Sequence, residues 1–204
     1  MTAERSVLPT AASPARAAPT APADGFLGAL HAPGPAPELG DAAGVYGWLV
    51  GSWEMRVVDH PPDGPPREAV GEWHFARVLE GRVVQDVFIV PHRPLRGGSA
   101  LPRNGNRYGS SIRVCDAATG TWKVIWINPV NGVEEHLVGR RVGDEIVQEG
   151  RCADGSLLRW SFVDITPDSF TWRGERSTDG GATWILEAEF FGRRVAGAAA
   201  GAGG

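Results

Sequence analysis

Apolar and polar residues alternate with a period of two along most of the chain between residues 51 and 193. The alternation falls into ten runs, which short segments rich in Gly, Asn and Asp separate. Such alternation is typical of β-strands that bury one face. The predicted strands are Trp53–Val58, Glu68–Leu79, Arg82–Val90, Tyr108–Asp116, Thr121–Asn128, Val133–Arg141, Glu145–Cys152, Leu157–Ile165, Ser169–Ser177 and Thr183–Arg193.

The breaks between these runs predict tight hairpin turns. Asn131–Gly132 and Gly143–Asp144, for example, contain residues that accept the positive φ angles of such turns. Strands joined in this way form an antiparallel meander, and closure of the meander into a barrel removes its exposed edges. The strand–helix–strand alternation of an α/β fold is missing. We therefore predict an all-β fold, an antiparallel up-and-down β-barrel of about ten strands.

The segments outside the strands predict one short helix and two tails. Asp41–Leu49 favours a helix, with Asp41 as a candidate N-cap. Residues 1–41 are rich in Ala and Pro and residues 195–204 in Gly and Ala, so both ends are predicted to be disordered. One apolar island, Gly25–Leu30, could dock on the folded part. The barrel domain is thus predicted over residues 42–194.

The aromatic residues indicate what the barrel could hold. Seven of the eight Trp residues alternate within predicted strands, which directs their side chains to the interior. A barrel of this size either packs its interior with side chains or encloses a small ligand. A Trp-rich packed core and an aromatic cavity both remain open. The aromatic candidates for ligand contact are Trp73, Phe75, Phe88, Trp126, Trp160 and Trp172.

Four polar residues fall at inward positions in the same alternation and are candidates for ligand recognition: Asp86, Asn128, Gln148 and Arg176. A buried carboxylate that faces a buried Arg could recognise a polar ligand group or carry out acid–base chemistry. A satisfied interior network of hydrogen bonds is the alternative. A shift of one residue in strand register would replace each of the four by its neighbour.

Charge and composition narrow the classes of function. The formal net charge is −4, and no basic stripe is present, which argues against a nucleic-acid partner. No apolar run is long enough to span a bilayer, so no membrane partner is expected. The N-terminal residues lack the continuous apolar segment of a signal peptide, and a cytoplasmic location is expected. An oligomer is possible.

The sequence gives little support for metal or redox chemistry. The five His residues show none of the usual ligand spacings, so we expect no metal. His74 and His136 alternate with apolar neighbours and are predicted to point outward. Cys115 and Cys152 could pair, but two cysteines do not make a disulfide framework. No cofactor is expected.

Two further segments differ from the tight-turn pattern. Pro91–Arg107 is long and carries four Arg residues and no acid, which fits either a basic flap at the barrel mouth or a solvated insertion. Ser177–Trp184 reads STDGGATW and matches the Asp-box hairpin of sialidase propellers. A propeller repeats its motif in at least four blades. A single copy therefore predicts a turn and no sialidase activity.

The segment Trp48–Trp53 (WLVGSW) resembles the opening motif of the calycin superfamily, which includes lipocalins and fatty-acid-binding proteins. Gly71–Asp86, the STDGGATW segment and a last strand that ends in Arg resemble a bacterial branch of lipocalin-like domains. The resemblance covers residues 45–194 and implies a ligand-binding barrel. It also implies that Arg193 or Arg194 packs across the Trp53 indole, a contact of roughly 0.5–2 kcal/mol.

We therefore predict the binding of a small hydrophobic or aromatic molecule in the barrel. The alternative is an enzyme of natural-product metabolism, a cyclase or isomerase, that uses the same cavity. Nitrobindin-like calycins bind haem through a His late in the chain, whereas no His follows His136 here. The haem interpretation is accordingly the weakest of the three.

Overall fold

The computed structural model describes residues 25–96 and 106–196. These residues form ten strands, and each predicted run becomes one of them. The strands are β1 Gly51–Asp59, β2 Arg67–Val78, β3 Val83–Val90, β4 Arg107–Asp116, β5 Thr121–Asn128, β6 Val133–Val142, β7 Glu145–Arg151, β8 Leu157–Val163, β9 Ser169–Ser177 and β10 Ile185–Arg194.

The strands form a closed barrel in which each pairs antiparallel with its neighbours in the sequence, and β1 closes the ring by pairing with β10. The predicted fold class is thereby confirmed. The closing seam is in register from Trp53 opposite Arg194 to Asp59 opposite Ala188. A β-bulge between Leu186 and Ala188 interrupts the pairing of β10 with β9.

The predicted helix over Asp41–Leu49 is wrong in its extent. A 3₁₀ turn covers Pro37–Ala43, and α2 is a single turn at Gly44–Gly47, whereas α1 lies earlier at Gly25–Leu30. Gly40 has a φ of 49° inside the 3₁₀ segment, which breaks the helical path. Asp41 lies within that segment and caps nothing. The glycines at both ends of α2 are poor helix formers, so the segment does not extend into one helix.

The segment that starts with α1 is attached to the turn between β2 and β3. The Leu79 N–H donates to the Leu30 carbonyl at 2.9 Å, and the Ala32 N–H donates to the Arg77 carbonyl at 2.9 Å. Leu30 and Ala32, within the segment predicted to be disordered, are therefore attached to the barrel, whereas the side chains of Phe26 and Leu27 in α1 are exposed. Residues 1–24 and 197–204, where disorder is also predicted, lie outside the described part.

Aromatic side chains close the end of the barrel at which β1 begins. The Tyr46 ring from α2 lies edge-on to Trp122, with 5.1 Å between ring centroids. The Trp53 indole N–H donates to the Leu49 carbonyl at 2.7 Å. The Arg194 guanidinium lies 4.1 Å from the Trp53 ring centroid, so Arg194, rather than Arg193, makes the contact that the resemblance implies.

Trp184 corrects the expectation that the alternating tryptophans all point inward. It precedes β10 and stacks outside the barrel on the Arg159 guanidinium, 3.7 Å from the ring centroid. The Asp-box turn before it matches its predicted structural role, since the Asp179 carboxylate accepts the Thr183 N–H at 2.9 Å. Cys115 and Cys152 are both free thiols.

In the described ranges, the helices are all too short to cross a bilayer. His74 and His136 both lie on the outer face, as predicted. His136 is exposed and contacts Glu134, whereas His74 belongs to a partly buried cluster beside the segment that follows β3. Residues 97–105 of the predicted flap lie outside the described residues.

The centre of that cluster is Glu72, whose side chain is only 6% exposed. Its Oε1 accepts the Arg93 backbone N–H at 2.9 Å and the Arg93 side-chain Nε–H at 2.8 Å. Its Oε2 lies 2.8 Å from His74 Nε2. Burial alone would raise the pKa of Glu72, but these hydrogen bonds outweigh burial and lower it to about 2 from an ordinary 4.5.

The Glu72 carboxylate should therefore make the free energy of unfolding depend on pH in the acidic range. Because the pKa of Glu72 is lower in the folded chain than in the unfolded chain, its ionised carboxylate stabilises the folded state. This stabilisation is fully present above pH 4.5 and is lost as the pH falls through 2. We expect the free energy of unfolding of the wild type to exceed that of Glu72→Gln by up to about 3 kcal/mol at pH 6. Urea titrations between pH 6 and 2 measure the difference. Exposed Glu134→Gln is the control, and a wild-type advantage independent of pH would contradict the assignment.

Candidate ligand-binding cavity

A cavity of about 200 Å³ lies inside the barrel, towards the end opposite α2. Its position follows from the strand order, because Asp59 ends β1 and Arg107 begins β4, and both border the cavity. The cavity is therefore a blind pocket that the α2 segment closes from below. The lining residues are Asp59, Trp73, Phe88, Arg107, Ser111, Arg113, Trp126, Gln148, Trp160, Trp172, Gly174, Glu187, Ala188 and Phe190.

Aromatic rings form the walls. Trp172 stacks on Phe190 with 4.2 Å between centroids and 7° between ring planes. Trp160 packs against Trp172 at 5.7 Å, and Trp73 packs against Phe88 at 4.8 Å. These rings hold one another in place, so the walls are rigid and offer flat apolar surfaces to a bound molecule.

Arg113 forms the polar floor and is held by a buried ion pair with Asp86, which lies behind it. Arg113 Nη1 lies 2.6 Å from Asp86 Oδ2, and the two side chains are 2% and 0% exposed. Asp86 Oδ1 also accepts the Ser111 N–H at 2.8 Å. The Arg113 guanidinium lies near the rings of Tyr46 and Phe75, 5.3 and 5.4 Å from their centroids. The charge of Arg113 is thus balanced within the protein.

Three residues that line the cavity each carry a buried N–H donor without a partner among the described residues: Arg113 Nε, Gln148 Nε2 and Trp73 Nε1. Gln148 is oriented by Tyr46, whose hydroxyl donates to Gln148 Oε1 at 3.3 Å. Burial raises the pKa of Tyr46, more than nearby Arg113 lowers it, so the hydroxyl keeps its proton. Buried donors are normally paired, and an unpaired one costs roughly 1–3 kcal/mol.

Two ion pairs surround the mouth. Arg107 Nη1 lies 3.3 Å from Asp59 Oδ2. Arg176 Nε lies 2.7 Å from Glu187 Oε1, and Arg176 Nη1 donates to Ser156 Oγ at 2.7 Å. Each carboxylate at the mouth is therefore neutralised by an Arg, and the entrance carries no net charge from these four groups.

The predicted contact residues divide into two groups. Those that line the cavity are Trp73, Phe88, Trp126, Gln148, Trp160 and Trp172. The other four lie elsewhere. Phe75 packs below the floor, Asp86 is engaged by Arg113, and Arg176 sits beside the mouth. Asn128 holds the end of β5, where its Oδ1 accepts the Val130 N–H at 3.2 Å.

Sequence reasoning missed Arg113, Glu187 and Phe190. Arg113 was findable, because it alternates with Ser111 and Cys115 in the predicted fourth strand and so shares their face. Phe190 was findable in the same way, because alternation within β10 places its side chain on the inward face. Glu187 was not findable in this way, because the bulge between Leu186 and Ala188 breaks the alternation there.

The cavity does not fit haem. Its described lining includes no His, Cys, Met or Tyr that could coordinate iron. The described histidines lie outside it, on the N-terminal segment, in loops or on the outer face.

Comparison with known proteins places the chain by fold. No protein-family model matches it, and no curated protein matches its sequence. It is similar to the crystal structure of Rv2717c from M. tuberculosis, with 20% identity over 79% of this chain and 99% of that chain and a TM-score of 0.52. The S-type phycobiliprotein lyase CPES from Guillardia theta matches at 14% identity over 74% and 90%, with a TM-score of 0.47.

The first of these likenesses and the closed ten-stranded barrel fit a calycin-like, lipocalin-like fold. At such identities the comparison concerns the fold alone.

Proposed function

We propose that this chain binds a small aromatic molecule that carries a hydrogen-bond acceptor, inside the barrel cavity. The observation that carries the proposal is the combination of aromatic walls with unpartnered buried donors, Arg113 Nε and Gln148 Nε2. An acceptor on the ligand would pair those donors and recover the free energy that their isolation costs. The Trp and Phe faces would bury the rest of the molecule.

The dimensions of the cavity limit the ligand to one or two rings. A cavity of roughly 150 Å³ in another protein holds benzene, and drug-sized ligands need about 300–1,000 Å³. The volume of about 200 Å³ lies between these values, close to the first. Because Asp86 already balances Arg113, a neutral acceptor such as a carbonyl or ring nitrogen suits the floor better than a carboxylate.

The contacts of the carboxylates favour binding over the cyclase or isomerase alternative. A general acid or base needs a proton-transfer group that is free to face the substrate. Asp86 is engaged by Arg113 and by the Ser111 N–H. Asp59 and Glu187 each pair with an Arg at the mouth. The chain thus offers walls and donors for binding, with its cavity carboxylates held in ion pairs.

Acetophenone and its near-isostere ethylbenzene, which lacks the acceptor, test the proposal. We expect isothermal titration calorimetry to show binding of both, with acetophenone bound about tenfold more tightly, as one hydrogen bond of about 1.4 kcal/mol implies. Gln148→Met should remove most of that preference. Native mass spectrometry of the purified protein would identify a resident ligand.

Two variants make the outcome decisive. Ala188→Phe places a ring in the cavity and should lower the affinity for both probes by at least about tenfold. Ala182→Phe, on the exposed turn before β10, adds the same ring outside the barrel and should bind as the wild type does. The proposal would be rejected if Ala188→Phe bound the probes as tightly as the wild type does. It would also be rejected if no form bound either probe and no resident ligand were found.

A further inference from the structure

A hydrogen-bonded chain of Ser52, His74 and Glu72 lies on the outer face of β1 and β2. Ser52 Oγ lies 2.9 Å from His74 Nδ1, and His74 Nε2 lies 2.8 Å from Glu72 Oε2. Ser52 and His74 are directly opposite in the β1–β2 register. Both line a half-open groove of about 610 Å³ between the N-terminal segment and the barrel. The inward positions of Trp53 and Trp73 separate this groove from the cavity.

The protonation states follow from the contacts. Ionised Glu72 can only accept hydrogen bonds, so the proton shared with His74 is on Nε2. In the neutral imidazole, Nδ1 then holds a lone pair and accepts the Ser52 hydroxyl proton. A hydroxyl bound to a base that a carboxylate orients is the arrangement that activates a serine nucleophile.

The three groups are held by their surroundings. Arg93 binds Glu72 through its backbone N–H and two guanidinium nitrogens. The exposed fraction rises from 6% for the Glu72 side chain to 34% for His74, so the acid is buried and the base reaches the groove. Fixed geometry of this kind lowers the entropic cost of bringing the reacting groups together.

The groove determines what could react there. Most of its lining is apolar, and includes Leu30, Pro33, Val78, Val87 and Val195. The Arg194 guanidinium borders the groove, but its nitrogens donate to the Trp48, Val50 and Pro167 carbonyls. Arg194 is therefore committed to the protein and is not available to a developing oxyanion. Esters with an apolar acyl chain and a good leaving group, which need the least such help, fit the site.

We propose that Ser52 is the nucleophile of an esterase site in this outer groove, with His74 as its general base. Ser52 Oγ attacks the ester carbonyl carbon, and its proton moves to His74 Nδ1. The ester C–O bond breaks, and the leaving alkoxide takes that proton and departs as the alcohol. Water, deprotonated by His74, then attacks the carbonyl carbon of acyl-Ser52. The bond between that carbon and Ser52 Oγ breaks, Oγ takes the proton from His74, and the carboxylic acid departs. The proposal is independent of ligand binding in the cavity.

Two probes test the site on the full chain. The first is p-nitrophenyl butyrate, whose hydrolysis is followed by absorbance. The second is an alkyl fluorophosphonate, which forms a Ser Oγ–P bond with loss of fluoride and is located by peptide mass spectrometry. We expect adduct at Ser52 in the wild type and none in Ser52→Ala. His74→Gln should slow both reactions by about 100-fold or more, the range of general base catalysis.

The matched control is Ser161→Ala, a strand serine on the outer face of β8, away from the groove. It should react as the wild type does, and circular dichroism should show that all variants are folded. Adduct formation elsewhere than Ser52, or Ser52→Ala hydrolysis equal to the wild type, would overturn the proposal.

Glu72 is a positioning residue in this scheme, and the separate effects on kcat and KM distinguish that role from a structural one. The charged groups around His74 are Glu72 itself, Arg93 and His92, whose Nε2 lies 3.9 Å from Glu72 Oε2; Ser52 faces it from β1. Glu72→Gln removes the carboxylate that accepts the His74 Nε2 proton and orients the imidazole. We expect a lower kcat for p-nitrophenyl butyrate with an unchanged KM, and a wild-type kcat would contradict the role.

Discussion

Asp86→Asn should lower the free energy of unfolding by about 3–5 kcal/mol, although the replacement has nearly the same shape. The pair of Asp86 and Arg113 is excluded from water, with side chains 0% and 2% exposed. The amide introduced by this substitution would keep an oxygen for the Ser111 N–H but leave the Arg113 charge buried without a counter-ion, which is the costly outcome. Urea denaturation at pH 7 measures the change.

The double variant Asp86→Asn/Arg113→Met separates charge from packing. Removal of the Arg113 cation, which has no counter-ion in Asp86→Asn, should recover a large part of the lost stability. Uncharged side chains often replace a buried ion pair without net cost. Glu149→Gln is the matched control, because Glu149 pairs with Arg140 and Arg159 on the outer surface and should change stability by less than about 1 kcal/mol. A double variant no more stable than Asp86→Asn would contradict this explanation.

Trp53→Ala should cost a similar amount, about 3–5 kcal/mol, because it empties the closed end of the barrel. The Trp53 side chain is fully buried and contacts Phe170 at 4.8 Å between ring centroids. Its loss also removes the surface on which the Arg194 guanidinium lies. Thermal and urea unfolding both measure the effect.

Trp184→Ala is the control for that experiment. It removes the same side chain from the outside of the barrel, where Trp184 is partly buried and stacks on Arg159. We expect a loss of about 1 kcal/mol or less. Equal losses in the two variants would show that the Trp53 end does not contribute more than a surface contact.

The fold was predictable because its two signals are local. Alternation fixes which face of a strand is buried, and Gly with Asn or Asp fixes where the strand turns, as at Asn131–Gly132. The helix was not predictable in this way. Asp41–Leu49 has the composition of a short helix, yet Gly40 redirects the chain and Tyr46 is drawn into the barrel end by contacts with Trp122 and Phe162.

The candidate site was predictable in part for the same reason. Alternation identified the walls, such as Trp126 and Trp160, because parity alone determines them. It could not show whether the interior is packed or hollow, since that depends on the fit of rings from distant strands. It also could not pair Asp86 with Arg113, which lie on β3 and β4 and meet only through the barrel register.

The outer groove escaped sequence reasoning altogether. His74 was correctly placed outside the barrel, but outward position alone says nothing of its partners. Ser52 and His74 are neighbours only because β1 and β2 pair in one register, and Glu72 becomes buried only when the segment with Arg93 folds over it.

The seam between β1 and β10 has a consequence for how the chain folds. The other strand pairs join sequence neighbours, most of them over short loops, whereas the seam joins Trp53 to Arg194, at the two ends of the barrel sequence. Contacts between such distant residues carry the largest loop-closure entropy and slow folding. A chain still in synthesis, without β10, would present β1 and β9 as two open sheet edges, the surfaces most prone to aggregation. Completion of the last strand, which has ten residues, therefore decides whether these edges are protected from aggregation.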